Sequence, residues 1–228
     1  GRRAGIETVL VENFTWDWLY KPYIDAEPRL GRHIDYLEGI FESVDHRLQT
    51  RPLCRAVPGR PNIPPIARKP RIAGSFLRRS LQVPENRSAV LITTGGVPHT
   101  PAFIEKLHSL KNGWHFILPV PDPALPRTGL SRGCVTLLPH ASAYYHPDLT
   151  HAVDAVVGKA GYSTVAEVYH AAKPFGFVSR NDFRESACLA AFIRSEMSGM
   201  EIAEKDFHSG SWLEALAALG VMNTVRPG

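Results

Sequence analysis

The chain has 228 residues, of which 44% are hydrophobic and 21% charged, with a formal net charge of +4. That composition is ordinary for a soluble globular protein, the length allows one large domain or two small ones, and no apolar run approaches the ~20 residues of a membrane helix. Cys54, Cys134 and Cys188 are odd in number, widely spaced and in no metal-like pattern. This argues against a disulfide framework and for structural thiols in a reducing, cytoplasmic setting.

The charge is unevenly placed. Between Arg47 and Arg87 the only acid is Glu85. Nucleic acid is the first partner such a run suggests, but neither aromatic interleaving nor a nucleic-acid fold pattern accompanies it. A solvated basic surface that attracts anionic ligands is the expectation, with no nucleic acid and no membrane span.

Taken in chain order, Arg3 to Ile6 reads as the end of a helix and Thr8 to Val11 as the buried strand after it. Asn13-Phe14-Thr15-Trp16-Asp17-Trp18-Leu19-Tyr20 is dense in aromatics, which suits either packing or a cleft wall at the end of a strand. Asp17 is the proton-transfer candidate there. Ile34, Leu37, Ile40, Phe41 and Val44 are spaced for an amphipathic helix ending before Arg47. From Pro52 to Pro84 the pattern dissolves into Pro, Gly and Arg, as in a crossing between two lobes. The expected division is therefore 1–85, a partial N-terminal domain with this crossing, and 86–228, a second domain.

In the second part, Ala89 to Thr94 reads as a buried strand running into Gly95-Gly96. Thr100 is placed to cap the next helix, with Pro101 in its first turn and Phe103, Leu107 and Leu110 on its inner face. Trp114–Val120 and Cys134–Leu138 read as strands, and Pro147 opens a short helix to His151. Val153–Val157 is a strand, Gly158 and Gly161 belong to a tight turn, and Val165, Val168, Tyr169 and Ala172 mark one face of the helix that follows. Phe175–Val178 completes a βαβ unit. Arg184–Ile193 reads as a helix, Met200–Ala203 as a short extended piece and Ser211–Leu219 as a closing helix. The alternation argues for an open parallel sheet with helices on both faces. Neither an internal repeat nor a low-complexity tract is present.

Two Gly-bearing strand-to-helix turns, at Gly95-Gly96 and at Gly158 to Gly161, each suit a phosphate, because a helix N-terminus presents free amides and a positive dipole end. Ser163 and Thr164 add hydroxyls. Thr164-x-x-Glu167 also fits a capping box, in which Thr164 caps the helix and Glu167 reaches back to it. The spacing alone leaves both readings open.

Gly158-Lys159-Ala160-Gly161-Tyr162-Ser163-Thr164-Val165-Ala166-Glu167, with Lys173-Pro174-Phe175 and Arg180 to Glu185 after it, resembles the donor-binding segment of GT-B glycosyltransferases of the MurG-like superfamily. The likeness extends to predicted glycosyltransferases related to the transferase-like domain of plant arabinokinases, whose pattern includes a segment like Asn13 to Trp18. The resemblance implies an α/β fold: a Rossmann-like donor domain preceded by the remnant of an N-terminal α/β domain. It implies that Gly95, Gly96, Gly161, Ser163 and Thr164 hold a nucleotide diphosphate. By the same resemblance Glu167 binds the ribose, Leu138 and His140 lie at the base, and Arg184 and Glu185 meet the donor sugar. The implied activity is metal-independent transfer of a hexosyl group from a nucleotide-diphosphate sugar, UDP-sugar first, to an unnamed acceptor. No cofactor or metal is expected; Asp17 is the candidate base, and His99 and His140 lie on loops near the donor. The pattern lacks the Gly- and His-containing acceptor loop with which such enzymes open, so the chain reads as starting inside the last part of that domain. Two rivals stand beside this reading: a UDP-GlcNAc 2-epimerase-like enzyme of the same fold, and a non-catalytic nucleotide or nucleotide-sugar binding module.

Overall fold

The computed structural model describes residues 1–94, 100–110, 113–180 and 182–224. Gly95, Gly96 and His99, three positions singled out in the sequence, lie outside them. The chain divides into two compact units, Gly1–Ile66 with Asp182–Leu189, and Ala67–Asn181 with Ala190–Gly228.

The first unit contains β1 (Val9–Glu12), α1 (Trp16–Tyr20), α2 (Gly31–Glu42), β2 (His46–Thr50) and β3 (Asn62–Ile63). The strands form a parallel sheet in the order β1-β2-β3. Thr8–Val11 is not the buried strand the sequence suggested. Side chains alternate across a strand, and Val9 and Val11 share a face that stays 56% and 47% exposed. The helix of Ile34 is present, but its Ile40 is 42% exposed and Ile34 alone is fully buried on it. The expected helix end at Arg3 to Ile6 is a single 3-10 turn, Arg2–Ala4.

The second unit contains α3 (Gly74–Ser80), β4 (Ser88–Thr93), α4 (Ile104–Ser109), β5 (Trp114–Val120), β6 (Leu130–Arg132), β7 (Val135–Pro139), α5 (His146–Ala152), β8 (Ala155–Lys159), α6 (Tyr162–Ala171) and β9 (Phe175–Val178). After α7 (Glu185–Glu196), whose first residues cluster with the first unit, come β10 (Gly199–Glu201), α8 (Glu204–Ser209), a 3-10 turn at Ser211–Ala215 and α9 (Leu216–Gly220). The seven-stranded sheet has the order β10-β9-β8-β4-β5-β7-β6, parallel throughout except for β6 against β7. This is the α/β, Rossmann-like architecture that the alternation of elements implied.

The apolar runs explain why these strands lie at the centre. Val90, Ile92, Phe116, Leu118, Ala155 and Val157 point to one face and pack with Leu107, Phe207, Trp212, Leu216 and Leu219. The alternate residues Leu91, Ile117 and Val156 are buried on the other face, where α5 lies against β4 and α3 and α6 lie against α5. The stretch read as a bare crossing thus supplies a helix, α3, whose Leu77 is fully buried. Its basic run is not uniformly solvated either: Arg78 is half-buried and donates to Asp154 Oδ2 at 2.8 Å and to the Arg87 carbonyl at 2.7 Å. Thr100 caps no helix, since α4 starts at Ile104 with Phe103 in the cap position. Phe103 is in the core instead, edge-on to Phe207 and Trp212.

Candidate functional site

From β4 the chain moves outward through β5 to β7, then crosses back to place β8 on the opposite side of β4. Reversal of strand order opens a crevice at the carboxyl ends of the strands, where α/β proteins take ligands. Here it lies between β4 and β8. Gly158 is required at this point: a Cβ there would stand 2.0 Å from the Thr93 carbonyl oxygen. Gly161 is different. A Cβ on it would meet nothing within 4 Å, and its φ of −117° is open to any residue. Packing among the described residues therefore does not call for glycine at Gly161.

Helix α6 begins directly after Gly161, which is its N-cap, with no side-chain cap. Thr164 is thus the third helical residue and not the cap, and the capping-box reading fails. Ser163 is exposed and Thr164 half-buried at this open helix start. Glu167 lies a turn further on, buried, and does not reach back. Its Oε1 accepts from Arg68 Nη2 at 3.0 Å and its Oε2 faces His146 Nδ1 at 2.5 Å. Burial works to raise the Glu167 pKa, but the His146 hydrogen bond and charge, then those of Arg68, outweigh it and hold the carboxyl below its ordinary value.

A cleft of about 170 Å³ adjoins these residues at the same end of the sheet. Thr93 of β4, Pro119 of β5, and Leu138 and Pro139 of β7 form its floor, with His140, Tyr144 and His146 around it. Leu138 and His140 therefore share one cleft, and Glu167 is connected to it through His146. Neither Arg68 nor His146 was marked by the sequence. The Arg68 bond to Glu167 joins residues 99 apart in the chain, and no local pattern announces such a pair. Asp148 carries the arrangement: its Oδ1 accepts from the backbone N–H of Arg71 at 2.5 Å and of Ile72 at 3.3 Å. That bond holds the segment before α3 against the first turn of α5. Arg71 and Arg68 then lie over the Tyr145 ring, at 3.9 and 4.9 Å from its centroid.

The other marked residues belong to the first unit. Asp17 is 2% exposed in α1, with no hydrogen-bond partner for Oδ1 among the described residues and Oδ2 4.0 Å from Arg55 Nη1. Arg184 donates to the Trp18 carbonyl at 2.6 Å and stacks on the Trp18 ring at 4.0 Å. Glu185 accepts from Asn13 Nδ2 at 3.0 Å, and Tyr23 Oη donates to the Asp182 carbonyl. The aromatic segment and the 182–185 segment are thus one cluster, and both readings of the aromatics, packing and a wall, remain compatible with it. Among the described residues no group of three or more His, Cys, Asp or Glu is placed to hold a metal ion, and no helix is long and apolar enough to cross a membrane.

No family model matches the chain. It is 28% identical over 212 residues to L-arabinokinase of Arabidopsis thaliana, covering 92% of this chain and 20% of that protein. Among solved structures it is similar to the spinosyn forosaminyltransferase SpnP, with a TM-score of 0.59 and 13% identity over 95% of this chain and 62% of the other. Acinetobacter baumannii MurG aligns with a TM-score of 0.55 and 13% identity, over 97% of this chain and 59% of that one. Arabidopsis thaliana UGT89C1, solved with UDP, gives 0.55 and 14%, over 99% and 60%. The chain thus spans about three fifths of the length of these structures and one fifth of the arabinokinase. Its strand order, its switch-point crevice and these neighbours together identify a chain with the fold of the GT-B glycosyltransferases.

Proposed function

We propose that the chain is the donor-binding part of a glycosyltransferase that uses a nucleotide-diphosphate sugar, a UDP-sugar first, to transfer a hexosyl group. The observation that carries this reading is the open helix start at Gly161, set at the switch point of the sheet beside a cleft. The helix start at Ser163 and Thr164, with its positive dipole end and the hydroxyls of these two residues, would receive the diphosphate. Gly161, without a Cβ, lets the phosphates approach the backbone, and Gly95 and Gly96, which come after β4 in the sequence, would hold the diphosphate with it. Leu138 and His140 would take the base and Glu167 serves the ribose side. Arg184 and Glu185 are the donor-sugar candidates, and Asp17, a carboxylate with no partner for Oδ1 among the described residues, is the candidate base for an acceptor hydroxyl.

Departure of a nucleotide diphosphate leaves negative charge to be stabilised, and fixed amides and hydroxyls in a crevice do this without reorganising. The sequence has no Asp-x-Asp pair, so we assign this role to the helix start and not to a metal ion. The test is a calorimetric and thermal-shift titration with UDP, GDP, dTDP and ADP, run beside a Ser163→Ala/Thr164→Ala variant. Selective stabilisation by one diphosphate is expected, about 2.7 kcal/mol at a hundredfold excess over its Kd, and reduced in the variant. A folded protein that responds to none of the four overturns the reading.

A further inference from the structure

We infer that His146 is a further side chain of the second unit that touches a nucleotide in the cleft, and that Glu167 holds it from behind; this rests on the donor-site reading above. Glu167 is 3% exposed at its side chain, and each of its oxygens already faces a cationic or N–H partner. It is not part of the cleft wall, whereas His146, 34% exposed, is. As the two side chains stand, the carboxylate faces the cleft by way of that ring.

The chemistry of the pair fixes what the ring offers. Nδ1 stands 2.5 Å from Glu167 Oε2, and two acceptors cannot share that distance, so Nδ1 carries the proton. Nε2 is then an acceptor on a neutral ring and a donor on a charged one. A carboxylate behind an imidazole sets its tautomer and orientation, as it does behind metal-bound and catalytic histidines. Here the ring is the first residue of α5, whose carbonyl accepts from Thr150 Oγ1 at 3.2 Å. The preceding Tyr145 is covered by Arg68 and Arg71, and Arg68 holds the far oxygen of Glu167 at 3.0 Å. His146 is thus held by Glu167 behind it, and its neighbour by the two guanidinium groups. Glu167 is a positioning residue and His146 the contact to the sugar-phosphate side of the nucleotide.

Two substitutions separate contact from support. An Asn side chain reaches roughly the place of Nδ1, and a Gln side chain that of Nε2. His146→Asn keeps the bond to Glu167 but offers the cleft nothing, while His146→Gln retains a polar group on the ligand side. Titration of the full chain with UDP should show His146→Asn binding about ten- to a hundredfold more weakly, with an unchanged thermal midpoint in the absence of ligand. His146→Gln should recover part of that loss. Glu167→Gln should weaken UDP binding in the wild-type background and add nothing in His146→Asn. Unchanged UDP affinity in His146→Asn beside a loss in Glu167→Gln overturns the inference, because the carboxylate would then meet the nucleotide itself. Additive losses overturn it as well. If wild type binds no nucleotide, the donor-site reading fails first and this inference falls with it. The pair itself has a separate readout: a downfield His146 Nδ1 proton resonance, present in wild type and absent in Glu167→Gln.

Discussion

At the scale of single residues, burial decides what titrates. His115 on β5 is fully buried, with Nε2 2.8 Å from Thr136 Oγ1 and, among the described residues, no partner for Nδ1. Burial first, then the charges of Arg87 and Arg78, push its pKa down to about 4. The unfolded chain holds a proton on this ring below about pH 6.5, and the folded chain refuses it until about pH 4. Stability therefore falls as pH drops through that window and is insensitive to this group above it. Urea unfolding of wild type at pH 7 and pH 4.5 should differ by about 2–3 kcal/mol from this residue. His115→Gln should lack that share of the difference; an equal loss in the variant would remove His115 as the cause. The cysteines make a related point. Cys54 and Cys188, distant in sequence, share a hydrogen bond that raises the Cys54 thiol and lowers that of Cys188.

At the scale of elements, close approach and not propensity sets the limits. Strands β4 and β8 pair so tightly at their carboxyl ends that a side chain at Gly158 would overlap the Thr93 carbonyl. Gly158→Ala should destabilise the protein by about 3 kcal/mol or more, since backbone and not a flexible side chain must move. Gly161→Ala, whose Cβ has open space, should leave unfolding unchanged within about 0.5 kcal/mol, and on the proposed function it should weaken UDP binding. Comparison of the two midpoints checks this. The elements that the sequence hid are those with few apolar residues. Strand β2 buries only Gln49 and Thr50, both polar, so its period is invisible to a hydrophobic pattern. Gln49 spans Glu12, the Arg55 carbonyl and the Val57 amide by hydrogen bonds of 3.1, 2.8 and 2.7 Å. Helix α8 shows a single buried residue, Phe207, and β6 is three residues long.

At the scale of the molecule, the two units differ in how much apolar surface they bury. Among the described residues the first has Trp18, Leu19, Ile34 and Leu189 as its buried apolar side chains, and the second has nearly all the rest. Local stability follows buried contacts. Native-state hydrogen exchange should therefore find the amides of β1 and β2 opening at lower free energy than those of β4, β5 and β8. Equal protection across both sheets would contradict that ranking.

The sequence by itself determined the central sheet of the second unit. Its strands are continuous apolar runs, and runs of that kind can only be buried in a parallel sheet between helices. The glycines at the end of β8 and the helix after them were legible for the same local reason. What only the tertiary structure decided was which groups meet. Thr164 loses the cap because the helix starts two residues before it. Glu167 is turned to His146 and Arg68 because Asp148 brings the segment before α3 across α5, and Arg184 spends its guanidinium on Trp18. Local spacing fixes which elements form. A pair such as Arg68 and Glu167 is chosen by how those elements pack, which no local pattern carries.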